Sequence, residues 1–219
     1  MEVKYYDWLA HHEDIRGDKI AIRDLDSKQD ISYRHLNRRA ARLAAYLQRY
    51  GVKKGDRVAL LIRNCPAFFE VQFACSKIGA ICLPLNWRLT PNELSYILND
   101  ATPCTLVHDH IFADAAPELA SACNIGLVLE VREPGEDSTY EQAMDTNEEF
   151  TPVDSTHDDV CMIMYTSGTT GHPKGAMITH GMVFYNIVNL AMPAGVNSKS
   201  INLVVLPLFH TGGLNCYAN

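Results

Sequence analysis

The sequence predicts an α/β fold, with layered β-sheets flanked by helices and a largely parallel central sheet. Three observations predict it. Short apolar runs alternate with segments of helical period from residue 33 to residue 131, the pattern of strand–helix–strand units. Residues 58–62 (Val-Ala-Leu-Leu-Ile) are apolar at every position, which suits a strand covered on both faces. The chain has 219 residues, 47% apolar and 21% charged, the composition of a globular protein and a length for one large domain or two small ones.

The elements follow in order. Residues 5–12 read as a short helix, and residues 20–22 and 30–33 as a hairpin around the polar turn 24–29. From 33 to 50 runs an amphipathic helix. Leu36, Ala40, Leu43, Ala44 and Leu47 share one face, and Arg38, Arg39, Arg42 and Gln48 lie away from it as a solvated surface. Gly51 stops it. Asn64-Cys65-Pro66 opens a second helix that ends before Gly79, and residues 80–85 are extended. Thr90-Pro91-Asn92-Glu93 is a capping box that starts a helix over 91–99. A strand at 105–108, a helix at 114–122 and a strand at 126–131 complete this part. Residues 133–159 are acidic and read as loop, with His157-Asp158-Asp159 as solvated surface. A helix follows Thr179 to about residue 192, and residues 202–206 read as a last strand.

The formal charge of −7 argues against nucleic acid as a main partner. The seven cysteines are scattered, without C-x-x-C spacing, and read as reduced, buried thiols of a cytoplasmic protein. Neither a signal peptide nor a bilayer-spanning run is predicted. His108-Asp109-His110 suggests a metal pair and a hydrolase. No third ligand of suitable spacing accompanies it, and an exposed strand-end loop is the better reading.

The chemistry concentrates in Tyr165-Thr166-Ser167-Gly168-Thr169-Thr170-Gly171-His172-Pro173-Lys174-Gly175. Apolar runs on either side, 160–164 and 176–178, make it the loop of a hairpin-like pair. Its glycines let N–H groups converge, the hydroxyls of Thr166, Ser167, Thr169 and Thr170 add donors, and Lys174 adds a mobile positive charge. Together they are the parts of a polyphosphate clamp. The alternatives are a ligand-free Gly/Thr surface loop and a Walker A loop. Walker A fails because Pro173 stands where its second glycine belongs and Gly175 follows Lys174. A second element is Pro207-Leu208-Phe209-His210-Thr211-Gly212-Gly213-Leu214, a histidine after a predicted strand and before two glycines.

The run 165–175 resembles the phosphate-binding signature of the adenylate-forming (AMP-binding) enzymes, and residues 207–214 resemble the Pro-x-Phe-His-x-x-Gly motif of their acyl- and aryl-CoA ligase branch. Residues 51–58 and 84–89 resemble further, weaker segments of acyl-CoA synthetases and read as structural. The resemblance implies ATP, Mg²⁺ and CoA as substrates and cofactor, and activation of a carboxylic acid as acyl-AMP. A medium- or long-chain fatty acid is the first expectation. An aryl carboxylate, or a non-catalytic nucleotide- or acyl-binding protein, is the alternative. It implies ATP-phosphate contacts from Thr166, Ser167, Gly168, Thr169, Thr170, Gly171 and Lys174, with Thr170 also near the Mg²⁺ of Mg-ATP. It implies an acyl and carboxylate pocket at Phe209, His210, Gly212, Gly213 and Leu214, with His210 the candidate catalytic residue. Residues 1–219 then correspond to the N-terminal part of the large domain, with a sub-boundary near 62–70 and a phosphate-loop subdomain over about 70–219. The adenine motif, hinge and C-terminal lid of the family are not in this sequence. The expectation is a fragment inactive by itself, prone to self-association through apolar surface in its first 65 residues.

Overall fold

The computed structural model describes residues 2–166 and 172–213. The chain begins as an extended strap, in which Lys4 bridges Thr156 and the Tyr5 amide donates to the Ser155 carbonyl at 2.8 Å. Helix α1 spans Trp8–Arg16 and starts later than the sequence suggests, because the Asp7 carboxylate caps it by accepting from the Ala10 amide. Strands β1 (Ile20–Asp24) and β2 (Gln29–Ser32) form a separate antiparallel hairpin. Helix α2 (Tyr33–Arg49) is capped by Ser32 and buries the predicted face.

Strand β3 (Arg57–Leu61), helix α3 (Pro66–Ile78) and strand β4 (Ile81–Pro84) form a parallel βαβ unit. Gly79 ends α3 in the left-handed conformation, φ +69°. Helix α4 (Pro91–Ala101) opens with the complete Thr90/Glu93 capping box. Strand β5 (Thr105–Asp109), helix α5 (Ala115–Ala122) and strand β6 (Leu127–Val131) follow. Helix α6 (Thr139–Met144) lies inside the stretch read as loop; six residues are too few to display a period. Strands β7 (Val160–Thr166) and β8 (Lys174–Thr179) are an antiparallel hairpin, followed by helix α7 (His180–Ala191).

The sheet order is β6-β5-β3-β4-β7-β8, parallel throughout except for the β7–β8 hairpin at one edge. Side chains alternate across it. Val58, Leu60 and Val107 enter one core with α2, α3 and α6, while Ala59, Leu61 and Leu106 enter the other with α4 and α5. Strands β3 and β4, on either side of residues 62–70, pair in the same sheet.

The structure corrects three further expectations. Residues 202–206 form no strand: Ile201, Leu203, Val205 and Leu206 are exposed, and no described strand pairs with them. Arg39 is not part of a solvated face, because Glu70 and Glu141 hold it. His157 and Asp159 are not free surface either. The His157 ring packs on Phe184, and Asp159 pairs with Lys54 at 2.8 Å.

Candidate functional site

The β7–β8 hairpin sets out the first chemical element. Its register places Thr166 across from Lys174 and Tyr165 across from Gly175. Thr166 and Lys174 are both exposed, and no carboxylate of a described residue engages the Lys174 ammonium. A residue with a hydroxyl and a cation that no described carboxylate engages are therefore registered opposite each other, one at the last position of β7 and one at the first of β8. Ser167, Gly168, Thr169, Thr170 and Gly171, the other expected phosphate contacts, lie outside the described residues, as does Leu214.

The second element is a tight turn over 207–213. The His210 amide donates to the Pro207 carbonyl at 3.2 Å, and the Gly213 amide to the His210 carbonyl at 3.0 Å. A Cβ on Gly213 would stand 2.2 Å from the Pro207 oxygen, so no other residue fits there. The His210 ring is exposed, and its Nδ1 accepts from the Gly212 amide at 3.2 Å. Leu208 is buried in the core and anchors the turn. The Phe209 ring meets Trp87 edge to face, with centroids 6.4 Å apart.

The model of the AMP-binding enzymes matches residues 9–218, which takes in both elements. The chain belongs to the AMP-binding enzyme family. As a member of that family it is 42% identical over 184 residues to the feruloyl-CoA synthase of an Amycolatopsis species, covering 84% of this chain and 35% of the relative. It is 34% identical over 212 residues to the indoleacetate–CoA ligase of Aromatoleum aromaticum, covering 95% and 41%. The ATP-bound crystal structure of MatB from Rhodopseudomonas palustris superposes with a TM-score of 0.85 at 31% identity, over 97% of this chain and 42% of that one. The o-succinylbenzoate CoA synthetase of Bacillus subtilis in complex with its acyl-adenylate intermediate gives 0.83 at 27% identity, over 98% and 53%. The chain thus spans about a third to two fifths of the length of the curated relatives it matches.

Three residues of this AMP-binding family member join the site without having been singled out in the sequence. Asn64 clamps the turn, its amide nitrogen donating to the Leu206 carbonyl and its amide oxygen accepting from the Leu208 amide, both at 2.9 Å. Trp87 and Arg88 belong to the segment read as structural, yet the Arg88 guanidinium lies 4.3 Å over the Trp87 ring and 5.7 Å from the Phe209 ring. The signal that could have found them is position, since Asn64, Trp87 and Arg88 follow the carboxyl ends of β3 and β4, where open α/β sheets gather ligands. Trp87, Pro207, Arg63, Asp109 and Arg132 line a cleft of about 540 Å³ at that end of the sheet. Trp87 also packs against the same core as Ile163 and Tyr165 of β7, while Leu208 anchors the turn in the core on the other face of the sheet.

The exposed strand-end loop expected at 108–110 is corrected: His108 and Asp109 belong to β5 and are buried. Strand β5 lies inside the sheet, so His108 is buried, with Nδ1 3.0 Å from the Asp109 carbonyl. His110 meets the Asp109 carboxylate at 2.9 Å, and Arg63 holds the same carboxylate at 2.7 Å. Among the described residues no three His, Cys, Asp or Glu side chains are grouped to hold a metal, and no helix is long and apolar enough to cross a membrane.

Proposed function

We propose that these 219 residues are the phosphate-gripping and acyl-pocket portion of an ATP-dependent, AMP-forming carboxylate–CoA ligase. The observation that carries the proposal is the ribbon end at which Thr166 stands in register with Lys174, both exposed and the lysine engaged by no described carboxylate, within a chain of the AMP-binding family. The substrate carboxylate attacks the α-phosphorus of ATP. The bond from that phosphorus to the bridging oxygen breaks, and the electron pair leaves with pyrophosphate. A CoA thiolate then adds to the acyl carbonyl, and AMP departs.

The first step develops charge on the leaving pyrophosphate. Groups already aimed at those oxygens reduce its cost, because they need no reorganisation as the bond breaks. Thr166 and Lys174 supply a hydroxyl and a cation; Ser167, Gly168, Thr169, Thr170 and Gly171 are assigned the remaining contacts. Mg²⁺, arriving with ATP, offsets part of the phosphate charge. His210, whose ring is exposed beside Gly212, we assign to the carboxylate, and Phe209 and Gly213 to the wall of the acyl pocket; the exposed ring and the tight turn at Gly213 support that reading. Described cysteines that are free, three of them buried, support a reducing compartment, and we place the enzyme in the cytoplasm.

For the acid, the relatives named for feruloyl-CoA and indoleacetate support an aryl-bearing carboxylate. A fatty acid is the second reading, supported by a structure assigned as a long-chain fatty-acid–CoA ligase from Rhodopseudomonas palustris, which superposes with a TM-score of 0.86 at 27% identity. The test is carboxylate-dependent pyrophosphate release and acyl-CoA formation by the protein as isolated from its source, with ferulate, indoleacetate, octanoate and palmitate. Release with an aryl acid supports the first reading and release with a fatty acid the second. ATP binding without release for any acid would overturn the ligase in favour of a binding protein.

A further inference from the structure

Helix α4 touches β7 at Tyr165 and, just before β8, His172. Tyr96 and Asp100 are four residues apart and therefore lie on one face of the helix. Asp100 accepts a hydrogen bond from the Tyr165 hydroxyl. The Tyr96 ring stacks on His172, with centroids 5.0 Å apart and planes 21° from parallel. Tyr165 immediately precedes Thr166 on one arm, and His172 lies two residues before Lys174 on the other.

Gly175 makes the first contact possible. A Cβ there would stand 2.8 Å from Ile163 Cγ2 and 3.2 Å from two atoms of the Tyr165 ring. With only hydrogen at that position, the ring lies across the hairpin and its hydroxyl reaches α4. The helix is itself a firm support, fixed at its start by the capping box and buried through Leu94, Ile97 and Leu98. The hairpin needs one. Strand β8 is the sheet edge, and its first four residues are exposed. The end of an edge ribbon opens easily unless tertiary contacts hold it.

We propose that Tyr96 and Asp100 are positioning residues of the phosphate grip, a splint that fixes the separation and direction of Thr166 and Lys174 from outside the motif. This rests on the reading of the hairpin as a phosphate-binding element. Neither residue touches substrate; they act through His172 and Tyr165.

The experiment titrates inorganic pyrophosphate into the 219-residue chain, followed by amide resonances, with hydrogen exchange measured at 164–166, 174–176 and β3. The variants are Tyr96→Ala, Tyr96→Phe, Asp100→Ala and Tyr165→Phe. Tyr96→Ala and Asp100→Ala are expected to weaken pyrophosphate binding about tenfold, the scale of a misplaced electrostatic group. Exchange should quicken at the hairpin end while β3 stays protected. Tyr96→Phe keeps the stack and should bind as the unsubstituted chain does. Tyr165→Phe loses only the hydroxyl and should match Asp100→Ala. Equal binding in all variants, or a Tyr96→Phe as weak as Tyr96→Ala, overturns the splint alone. Failure of the unsubstituted chain to bind pyrophosphate removes the phosphate reading and the splint with it.

Discussion

Lys174 is the residue whose loss should be felt most in the chemistry. It is exposed, no described carboxylate neutralises it, and its partner across the hairpin is a hydroxyl. Lys174→Ala is expected to lower kcat/KM for ATP-dependent pyrophosphate release by about ten- to a thousandfold, as for one electrostatic donor. Unchanged release would remove the lysine from the mechanism. His180 acts on stability instead. It is buried at the start of α7 under the Tyr5 ring, at 4.0 Å. Burial lowers its pKa to about 4; His157 and Lys54 add to the depression and Asp159 opposes it. In the unfolded chain the ring takes up a proton near the ordinary value, so between about pH 6.5 and 4 the unfolded state binds more protons and stability falls with pH. The loss should approach about 3 kcal/mol by pH 4, and His180→Gln should flatten that slope in urea titrations. An unaltered slope would show that other groups govern the acid limb. The position of Lys174 at the end of a hairpin was legible in the sequence because apolar runs flank its motif. Asn64 and Arg88 were not, since their partners Leu206, Leu208 and Phe209 lie more than a hundred residues away in the chain.

Where neighbouring elements meet, ion pairs fix relations that periodicity cannot express. Arg39 on α2 donates to Glu70 on α3 at 2.6 Å and to both carboxylate oxygens of Glu141 on α6, at 2.9 and 2.7 Å. The Tyr140 hydroxyl donates to the other oxygen of Glu70 at 2.9 Å. Glu70 is only 3% exposed, so Glu70→Ala leaves a guanidinium and a phenol without their shared acceptor. The expected cost is about 3–5 kcal/mol in chemical denaturation, with Tyr140→Phe nearer 1 kcal/mol. A Glu70→Ala loss no greater than that of Tyr140→Phe would mean that Arg39 finds water instead. Local signals read well at this scale. Thr90 with Glu93, Pro66 and Gly79 each mark an observed helix end, because capping and left-handed glycine are properties of adjacent residues. The reading failed for Arg39, which hydrophobic period alone places outside, and for 202–206, whose apolar residues have strand character but pair with no described strand.

Across the whole molecule, the described surface is unevenly apolar. Met182, Tyr185 and Val188 recur at helical spacing along α7, and Met192 follows as its C-cap; all are exposed, Met192 by 80%. Ile201 at 94%, Leu203 at 70% and Val205 at 74% add to the same part of the chain, and Met177 of the edge strand is exposed as well. Exposed apolar residues do occur in the first 65 residues, where the sequence led us to expect them, but they sit there beside a closed hairpin and a capped helix. The stripe on α7 is different, because an amphipathic helix ordinarily turns such a face inward. Nor was sheet order legible: each strand could be found from its own residues, yet β4 beside β7 depends on a single registered pair, Cys82 with Met162. The stripe and the edge strand lead to the prediction that the 219-residue chain self-associates in solution. Burial of such side chains, at about 25 cal/mol per Å², is the driving term, set against the loss of free motion on association. Sedimentation velocity over a hundredfold concentration range should show species heavier than 24.5 kDa, and Tyr185→Lys with Val188→Lys should return the chain to that mass. Both changes place charge on the stripe and leave the hairpin and the 207–213 turn untouched, so pyrophosphate binding should persist in the dispersed form. A single 24.5 kDa species at every concentration would mean that the α7 face is tolerated in water as it stands.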